Sequence, residues 1–130
     1  MLRGISTPEA ARKGVDAGAN GSIVPNPGGR VLDHTPAPVE VLPAICDAVG
    51  GRIKVLADGA IRTGADVFKV LALGADAVLI GRPYVTAACG GNAEGVALYT
   101  QKILSELRDT MKMTGCAALA DITREKIHAF

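Results

Sequence analysis

The sequence has few aromatic residues, almost no net charge and no long apolar run. Aromatic residues make up 3% of the 130 residues, and the formal net charge is +1 at pH 7. A charge so close to neutral gives no reason to expect binding to nucleic acid or to an anionic membrane surface. No apolar stretch approaches the roughly 20 residues of a membrane span, and the first residues lack the apolar core of a secretion signal. We therefore expect a soluble cytoplasmic protein.

Cysteine is also scarce, and its positions exclude the usual cysteine-based sites. Cys46, Cys89 and Cys116 are widely spaced and include no C-x-x-C pair. This pattern fits buried reduced thiols better than a disulfide framework or a zinc site. No Cys/His pair, Ser/His/Asp set or carboxylate pair stands at working spacing, so covalent or metal-dependent hydrolysis finds no support. A lone loop histidine such as His34 is more often a surface group than a catalyst.

Apolar segments with strand and helix spacing alternate along the chain. Short apolar runs typical of buried strands lie at 22–24, 55–57 and 77–80. Apolar residues with helical spacing follow Thr7, span about 38–49, and follow Thr63 and Gly64 up to Gly74. Strands connected through helices must run parallel. The pattern therefore predicts an α/β fold.

Several boundaries depend on glycine and proline. Pro43 lies inside the 38–49 pattern, which moves the expected helix start toward Leu42 because an interior proline costs a hydrogen bond. A glycine-rich link is expected over 89–95, followed by an amphipathic helix from about Asn92 to Met113 with Lys102, Glu106 and Arg108 on its solvated side. A short closing segment, 121–130, has Asp121 or Thr123 as a possible cap.

The chain resembles itself at an offset of 56 residues. Identical residues align at this offset at Ile5 and Ile61, Thr7 and Thr63, Lys13 and Lys69, Gly18 and Gly74, Ala19 and Ala75, and Pro27 and Pro83. Each copy contains a loop, a helix and a buried strand, so the two segments look like one unit used twice. A complete (β/α)8 barrel needs roughly 250 residues. We therefore predict a single domain, 1–130, with the content of half such a barrel.

The segment 54–83 has the outline of a phosphate site. Arg62 and Arg82 each follow a predicted strand, where α/β barrels collect their ligands. A phosphate is bound best by several N–H groups together with guanidinium groups, and the candidate N–H donors are Gly59, Ala60, Ile61 and Gly81. The alternative is that each arginine pairs with a surface carboxylate. We expect Asp58 to hold the loop or a ligand hydroxyl rather than to act as a general base.

The loop after Val24 is a second candidate site. Gly28 and Gly29 permit close approach of the backbone to a ligand, and Arg30 can bind a carboxylate through two hydrogen bonds. A loop this rich in proline can instead be a rigid connector in which Arg30 pairs with Asp33. Both interpretations stay open at this point.

Four motifs in a fixed order resemble the C-terminal half of the FMN-dependent 2-hydroxy-acid oxidases and dehydrogenases, such as glycolate oxidase and lactate oxidase. They are L-R-G-I-S-T at 2–7, P-N-P-G-G-R-V-L-D at 25–33, D-G-A-I-R-T-G at 58–64 and G-R-P at 81–83. Other phosphate-binding barrels share the last two motifs, so the N-x-G-G-R-x-L-D loop makes the match specific. The resemblance implies the C-terminal half of a TIM barrel with parallel strands.

The resemblance also implies a cofactor and a substrate class. It implies that FMN is held through its phosphate and ribityl chain by Asp58, Gly59, Ala60, Ile61, Arg62, Gly81 and Arg82. Arg30 would bind the carboxylate of a small 2-hydroxy acid that is oxidised to a 2-oxo acid. Arg3 stands where the family has a lysine whose charge stabilises the reduced flavin.

Two positions depart from the family pattern. Pro27 stands at the position of the general base, a histidine, and cannot accept a proton. Pro25 replaces a serine that contacts the flavin. A half barrel would also leave strand edges open, so we expect self-association or a partner that supplies the other half. The chain is thus expected to be inactive alone; the alternatives are a non-catalytic phosphate or flavin-binding half barrel, or an inert fragment.

Overall fold

The computed structural model describes residues 1–28, 30 and 32–128. The chain divides into two compact units. The first, called the sheet unit here, consists of Met1–Gly59 and Leu73–Leu79. The second, called the helical unit, consists of Ala60–Ala72 and Ile80–Phe130. The candidate site residues are therefore divided between the units, with the boundary falling between Gly59 and Ala60.

The sheet unit contains a four-stranded parallel sheet in sequential order. Its strands are β1 (Leu2–Arg3), β2 (Gly21–Val24), β3 (Lys54–Asp58) and β4 (Ala77–Leu79). The three strands expected from apolar runs are confirmed, with bounds that differ by one residue at one end of β2 and β4 and at both ends of β3. Because all strands run parallel, their carboxyl ends lie along the same edge of the sheet.

Two helices complete the sheet unit, α1 (Pro8–Asp16) and α2 (Pro38–Val49). The Thr7 hydroxyl caps α1 by accepting a hydrogen bond from Ala10 N (3.2 Å). The expected late start of α2 near Leu42 is wrong, because the helix begins at Pro38 and continues through Pro43. The Glu40 carboxylate accepts a hydrogen bond from Ala37 N and so stabilises this early start.

The two faces of the sheet differ in burial. Val24, Val55 and Ala57 are at most 3% exposed, on the same face as the fully buried Ser22. The alternate residues Ile23 and Leu56 are half-buried. Helices α1 and α2 pack against each other, and α2 packs on β3. Parallel sheets are usually covered on both faces, and among the described residues Ile23 and Leu56 are less buried than the residues of the opposite face.

The helical unit contains α3 (Gly64–Ala72), α4 (Arg82–Met113) and two short 3₁₀ turns, Leu119–Asp121 and Arg124–Lys126. The backbone of α4 is non-helical at Gly91 and Asn92, so α4 consists of two helical segments. The expected glycine-rich link over 89–95 is therefore wrong for most of its length, and the helix begins at Arg82. Pro83 is compatible with a first helical turn, and the alanines that follow favour the helix.

The helical unit has its own apolar core. Its buried members are Phe68, Ala72, Cys116 and Ile122, with Leu71, Leu107, Met111 and Ile127 packed against them. The expectation of buried thiols holds for Cys116 but is wrong for Cys89, which is exposed, while Cys46 is half-buried. Cys89 lies two residues before the break in α4, a position without core packing.

Glu106 was expected only to face solvent from α4, but its carboxylate also binds the start of α3. Its Oε2 atom accepts a hydrogen bond from Gly64 N, the first residue of α3 (2.8 Å). The hydrogen bond from Lys102, followed by that from Gly64 N, lowers the pKa of Glu106. The carboxylate is therefore ionised at neutral pH and stabilises the amino terminus of α3.

The internal repeat is visible in the element bounds. Moving α1, Pro8–Asp16, along the chain by 56 residues gives the bounds of α3, Gly64–Ala72. The same shift places β2 over β4 to within one residue. In the part of the chain that the structure describes, no helix has both the length and the apolar character needed to cross a membrane.

Candidate functional site

The carboxyl edge of the sheet brings two predicted site residues together. Arg3 ends β1 and Asp58 ends β3. Their side chains form an ion pair, with Arg3 Nη2 at 3.7 Å from Asp58 Oδ2. The Arg3 side chain is 73% exposed and the Asp58 side chain 28%. Asp58 therefore orients a cationic group at this edge, and Arg3 keeps most of its surface open to a ligand.

Gly59 and Asn26 connect the two candidate loops of the sheet unit. Gly59 has φ +118°, and a Cβ atom there would lie 2.4 Å from Asn26 Cβ. Asn26 in turn accepts a hydrogen bond from Gly28 N through Oδ1 (3.0 Å), which closes a local turn. Asn26, in the loop after β2, thus lies directly against Gly59, the first residue after β3. Sequence analysis assigned Asn26 no role, although its position two residues before a glycine is typical of such a turn.

Arg30 lies exposed in the loop after β2. Its N–H donates to Pro27 O (3.4 Å). The Asp33 carboxylate instead accepts from His34 N (2.9 Å), with His34 Nε2 3.9 Å away. Among residues 1–28, 30 and 32–128 no ion pair involves Arg30. Gly29, the second glycine expected to permit close approach, lies outside the described residues.

In the helical unit, the loop that carries Arg62 is held by Asp66. Asp66 Oδ2 accepts hydrogen bonds from Arg62 N (3.1 Å) and Thr63 N (3.0 Å), and Thr63 Oγ1 accepts from Asp66 N (3.1 Å). Burial raises the pKa of Asp66, but the hydrogen bonds from Thr63 and Arg62 outweigh it and the pKa is lowered. An ionised Asp66 therefore fixes the entry to α3 at neutral pH.

Several hydrogen-bond donors of the helical unit lack partners in the part of the chain that the structure describes. They are the N–H groups of Ala60, Ile61 and Gly81 and the guanidinium groups of Arg62 and Arg82. Both arginines are exposed. The alternative that each arginine pairs with a surface carboxylate is therefore not observed. Free N–H groups and free guanidinium groups are the donors that an anion such as phosphate prefers.

The same loop has unusual backbone geometry. Ala60 has φ +58°, in the left-handed region that favours glycine. It directly follows Gly59, so two consecutive residues are left-handed or close to it. The described residues contain no group of three or more His, Cys, Asp or Glu side chains that could hold a metal ion.

Comparison with known proteins identifies the relatives of this chain. Residues 1–129 match the family model described as FMN-dependent dehydrogenase. The chain is 46% identical over 127 residues to a peroxisomal (S)-2-hydroxyacid oxidase of Arabidopsis thaliana, covering 98% of this chain and 35% of that protein. It is 45% identical over 130 residues to an L-lactate oxidase of Roseobacter sp., covering 100% of this chain and 35% of that protein. Because these relatives include a peroxisomal protein, the cytoplasmic location stays a prediction.

Solved structures give the same result. A mandelate oxidase mutant with a monooxide FMN adduct superposes with a TM-score of 0.90 at 44% identity, covering 95% of this chain and 40% of that chain. Mandelate oxidase with (S)-2-phenylpropionate gives the same TM-score and identity, with 37% of that chain covered. The predicted α/β class and partial TIM barrel are confirmed. The chain spans about a third of the length of the curated relatives it matches.

Proposed function

Because the chain belongs to the FMN-dependent dehydrogenase family, we propose that it carries the FMN phosphate site and the substrate-carboxylate arginine of a 2-hydroxy-acid oxidoreductase. FMN is the cofactor of this family, and it supplies the two-electron acceptor for oxidation of a hydroxyl carbon to a carbonyl carbon. The chain's own contribution is to bind and orient the cofactor and the substrate.

The observation that carries the proposal is the set of donors without partners in the helical unit. Among the described residues, the N–H groups of Ala60, Ile61 and Gly81 and the guanidinium groups of Arg62 and Arg82 have no partner, and we propose that they bind one anion. A phosphate offers three acceptor oxygens and nearly two negative charges at neutral pH, so it matches several directed donors at once. Each hydrogen bond to a charged group contributes about 1.5–3 kcal/mol.

The sheet unit supplies the remaining proposed contacts. Asp58 and Gly59 directly precede the phosphate loop, and we assign them to the ribityl chain of FMN. We assign Arg3, which pairs with Asp58 at 3.7 Å, the role of supplying a positive charge that would stabilise the reduced flavin. Exposed Arg30 is assigned to the substrate carboxylate, which a guanidinium group binds through two parallel hydrogen bonds.

The proposed base position argues for binding without turnover. Pro27 has no titratable group and no N–H, so it cannot remove a proton from the substrate. General acid–base catalysis contributes about 10²–10⁴-fold to a rate. A second candidate function, a flavin-binding module without catalysis, is therefore favoured by this residue. Both candidates require the same phosphate site.

Removal of one phosphate-binding arginine tests the proposed site. We expect Arg82→Met to weaken FMN binding by about 10- to 100-fold, because a charge-assisted hydrogen bond contributes about 1.5–3 kcal/mol. Quenching of flavin fluorescence during titration gives the dissociation constant. The matched control is Arg108→Met, which removes an exposed arginine on α4. Equal affinities of the two variants would rule out a role for Arg82.

We further propose that the sheet unit pairs with additional β/α units, supplied by a second copy or by another chain. The outer strands β1 and β4 each leave an edge available for pairing, and the face with Ile23 and Leu56 is only half-buried. Open edges and uncovered parallel sheets favour association. Light scattering of the purified chain at several concentrations should therefore report a species larger than 13.3 kDa. A well-folded monomer at all concentrations would contradict this proposal.

A further inference from the structure

We propose that Tyr99 is a positioning residue that sets the spacing between the Arg62 loop and the start of α4 at Arg82, and so shapes the phosphate site. The inference rests on the proposed function, since it concerns the same two arginines. It adds a residue that lies outside the four family-like motifs and for which no role was predicted from the sequence. Every residue involved belongs to the helical unit.

The first part of the arrangement fixes the backbone of Arg62. Tyr99 Oη donates a hydrogen bond to Arg62 O, with an O–O distance of 2.9 Å. The N–H of the same residue donates to Asp66 Oδ2 at 3.1 Å. Both backbone polar groups of Arg62 are thus held by side chains, one from α3 and the other from α4. A backbone fixed in this way restricts the positions that the Arg62 guanidinium group can take, which favours binding of a phosphate with defined geometry.

The second part connects Tyr99 to Arg82. Tyr84 lies in the first turn of α4, where its N–H donates to Gly81 O (2.9 Å). Its ring meets the ring of Tyr99 edge to face, with centroids 5.0 Å apart and an interplanar angle of 84°. This geometry is a preferred one for aromatic pairs. The Tyr99 ring therefore contacts the turn that carries Arg82, while its hydroxyl holds the loop that carries Arg62.

Hydrogen bonding along α4 orients Tyr84 as well. Tyr84 Oη and Thr100 Oγ1 are 3.0 Å apart. The single hydroxyl proton of Thr100 is donated to Val96 O (2.8 Å), so Tyr84 is the donor to Thr100. Thr100 is the neighbour of Tyr99 in the chain. The two tyrosines are consequently anchored to one short stretch of α4.

A close crossing within α4 makes the tyrosine contact possible. The helix breaks at Gly91 and Asn92, and the segment after the break passes back over the segment before it. A Cβ atom at Gly95 would lie 2.4 Å from Ala87 O. This approach requires glycine, and it brings residue 99 next to residue 84. Burial raises the pKa of Tyr99, so its hydroxyl stays a donor through the neutral range.

The experiment uses the full chain with Tyr99→Phe, which removes the hydroxyl and keeps the ring. We expect FMN binding to weaken about 3- to 10-fold, the loss that corresponds to one neutral hydrogen bond. Riboflavin, which lacks the phosphate, should bind as tightly as it does to the wild type. Amide hydrogen exchange at Arg62, whose N–H donates to Asp66 Oδ2, should become faster by a similar factor. The control is Thr110→Val, which removes a hydroxyl that donates to Glu106 O within α4.

The outcomes separate this inference from the proposed function. Unchanged FMN affinity together with unchanged exchange at the Arg62 amide would overturn the role of Tyr99. Equal losses for FMN and riboflavin would also overturn it, because they would indicate general damage rather than a shift of the phosphate donors. Unchanged FMN affinity in Arg62→Met and Arg82→Met would overturn the proposed phosphate site instead. In that case the exchange measurement still decides whether Tyr99 holds the Arg62 backbone.

Discussion

Gly64→Ala is expected to remove about 3 kcal/mol or more from the stability of the helical unit, the upper range for overpacking a well-packed site. A Cβ atom at position 64 would lie 2.2 Å from Leu107 N, 2.5 Å from Ile103 O and 2.6 Å from Glu106 C. All three atoms belong to the backbone of α4, so no side chain can rotate away to make room. Helix α3 must therefore move away from α4.

Such a movement has a second effect. Gly64 N donates to Glu106 Oε2 at 2.8 Å, and this hydrogen bond would lengthen or break. Because Arg62 lies two residues before Gly64, displacement of α3 also displaces a proposed phosphate donor. We therefore expect FMN affinity to fall together with stability, although the substitution touches no atom of the proposed site.

Chemical denaturation followed by circular dichroism measures the change in stability. The matched control is Gly90→Ala, which introduces the same methyl group in α4 where no atom lies within 4 Å of the new Cβ. Alanine is favoured over glycine in helices by about 1 kcal/mol, so this control should be neutral or stabilising. If Gly64→Ala were tolerated as well as Gly90→Ala, the close approach of α3 to α4 would be wrong.

The second large effect concerns Pro27. We expect bound FMN to be reduced by L-lactate under anaerobic conditions about 10²- to 10⁴-fold more slowly in the wild-type chain than in Pro27→His, the usual contribution of a general base. Loss of the visible flavin absorbance reports the rate. Pro25→Ser is the control, since it changes the other departure from the family pattern without supplying a base.

Each result of this experiment has a distinct meaning. Reduction by the wild-type chain at the rate of Pro27→His would contradict the assignment of residue 27 to the base position. Reduction in Pro25→Ser alone would place the defect at the flavin contact. No reduction in any variant would locate the limit in the part of the barrel that the relatives have and this chain does not span.

The regular part of the fold was predictable because its signals are local. The strands at 22–24 and 55–57 are short apolar runs, and burial on both faces of a parallel sheet favours such runs. The 56-residue repeat predicts a second helix at the position equivalent to the first, and the matching bounds of α1 and α3 confirm it. Three of the four parallel strands and the helices between them follow from these patterns without tertiary information, whereas the two-residue strand β1 was not predicted.

The features that sequence analysis missed depend on contacts between distant residues. Glu106 caps a helix that begins 42 positions earlier, and no local pattern distinguishes it from a solvated glutamate. The link was predicted over 89–95 because the glycines at 90 and 91 resemble a linker in sequence. In the structure only Gly91 and Asn92 leave the helical conformation, and helix α4 begins before them. The α2 boundary was missed because propensity treats an interior proline as a break, whereas the Glu40 cap stabilises the start.

The residue types of the candidate site were predictable from the sequence, but the interactions of their side chains were not. The motifs at 58–64 and 81–83 identify the arginines, and the resemblance suggests FMN. Whether Arg62 and Arg82 are free or paired with carboxylates cannot be read from sequence, because every surface arginine has several candidate partners. The hydrogen bond from Tyr99 to Arg62 joins residues 37 positions apart, and no local sequence pattern predicts it.

The most direct test of the central claim compares the affinities of the unmodified chain for FMN and for riboflavin by isothermal titration calorimetry. The two ligands differ only in the phosphate, which the donors at residues 60–62 and 81–82 are proposed to bind. With each charge-assisted hydrogen bond contributing about 1.5–3 kcal/mol, we expect FMN to bind at least about 30-fold more tightly. Equal affinities for the two flavins, or no binding of FMN, would contradict the account.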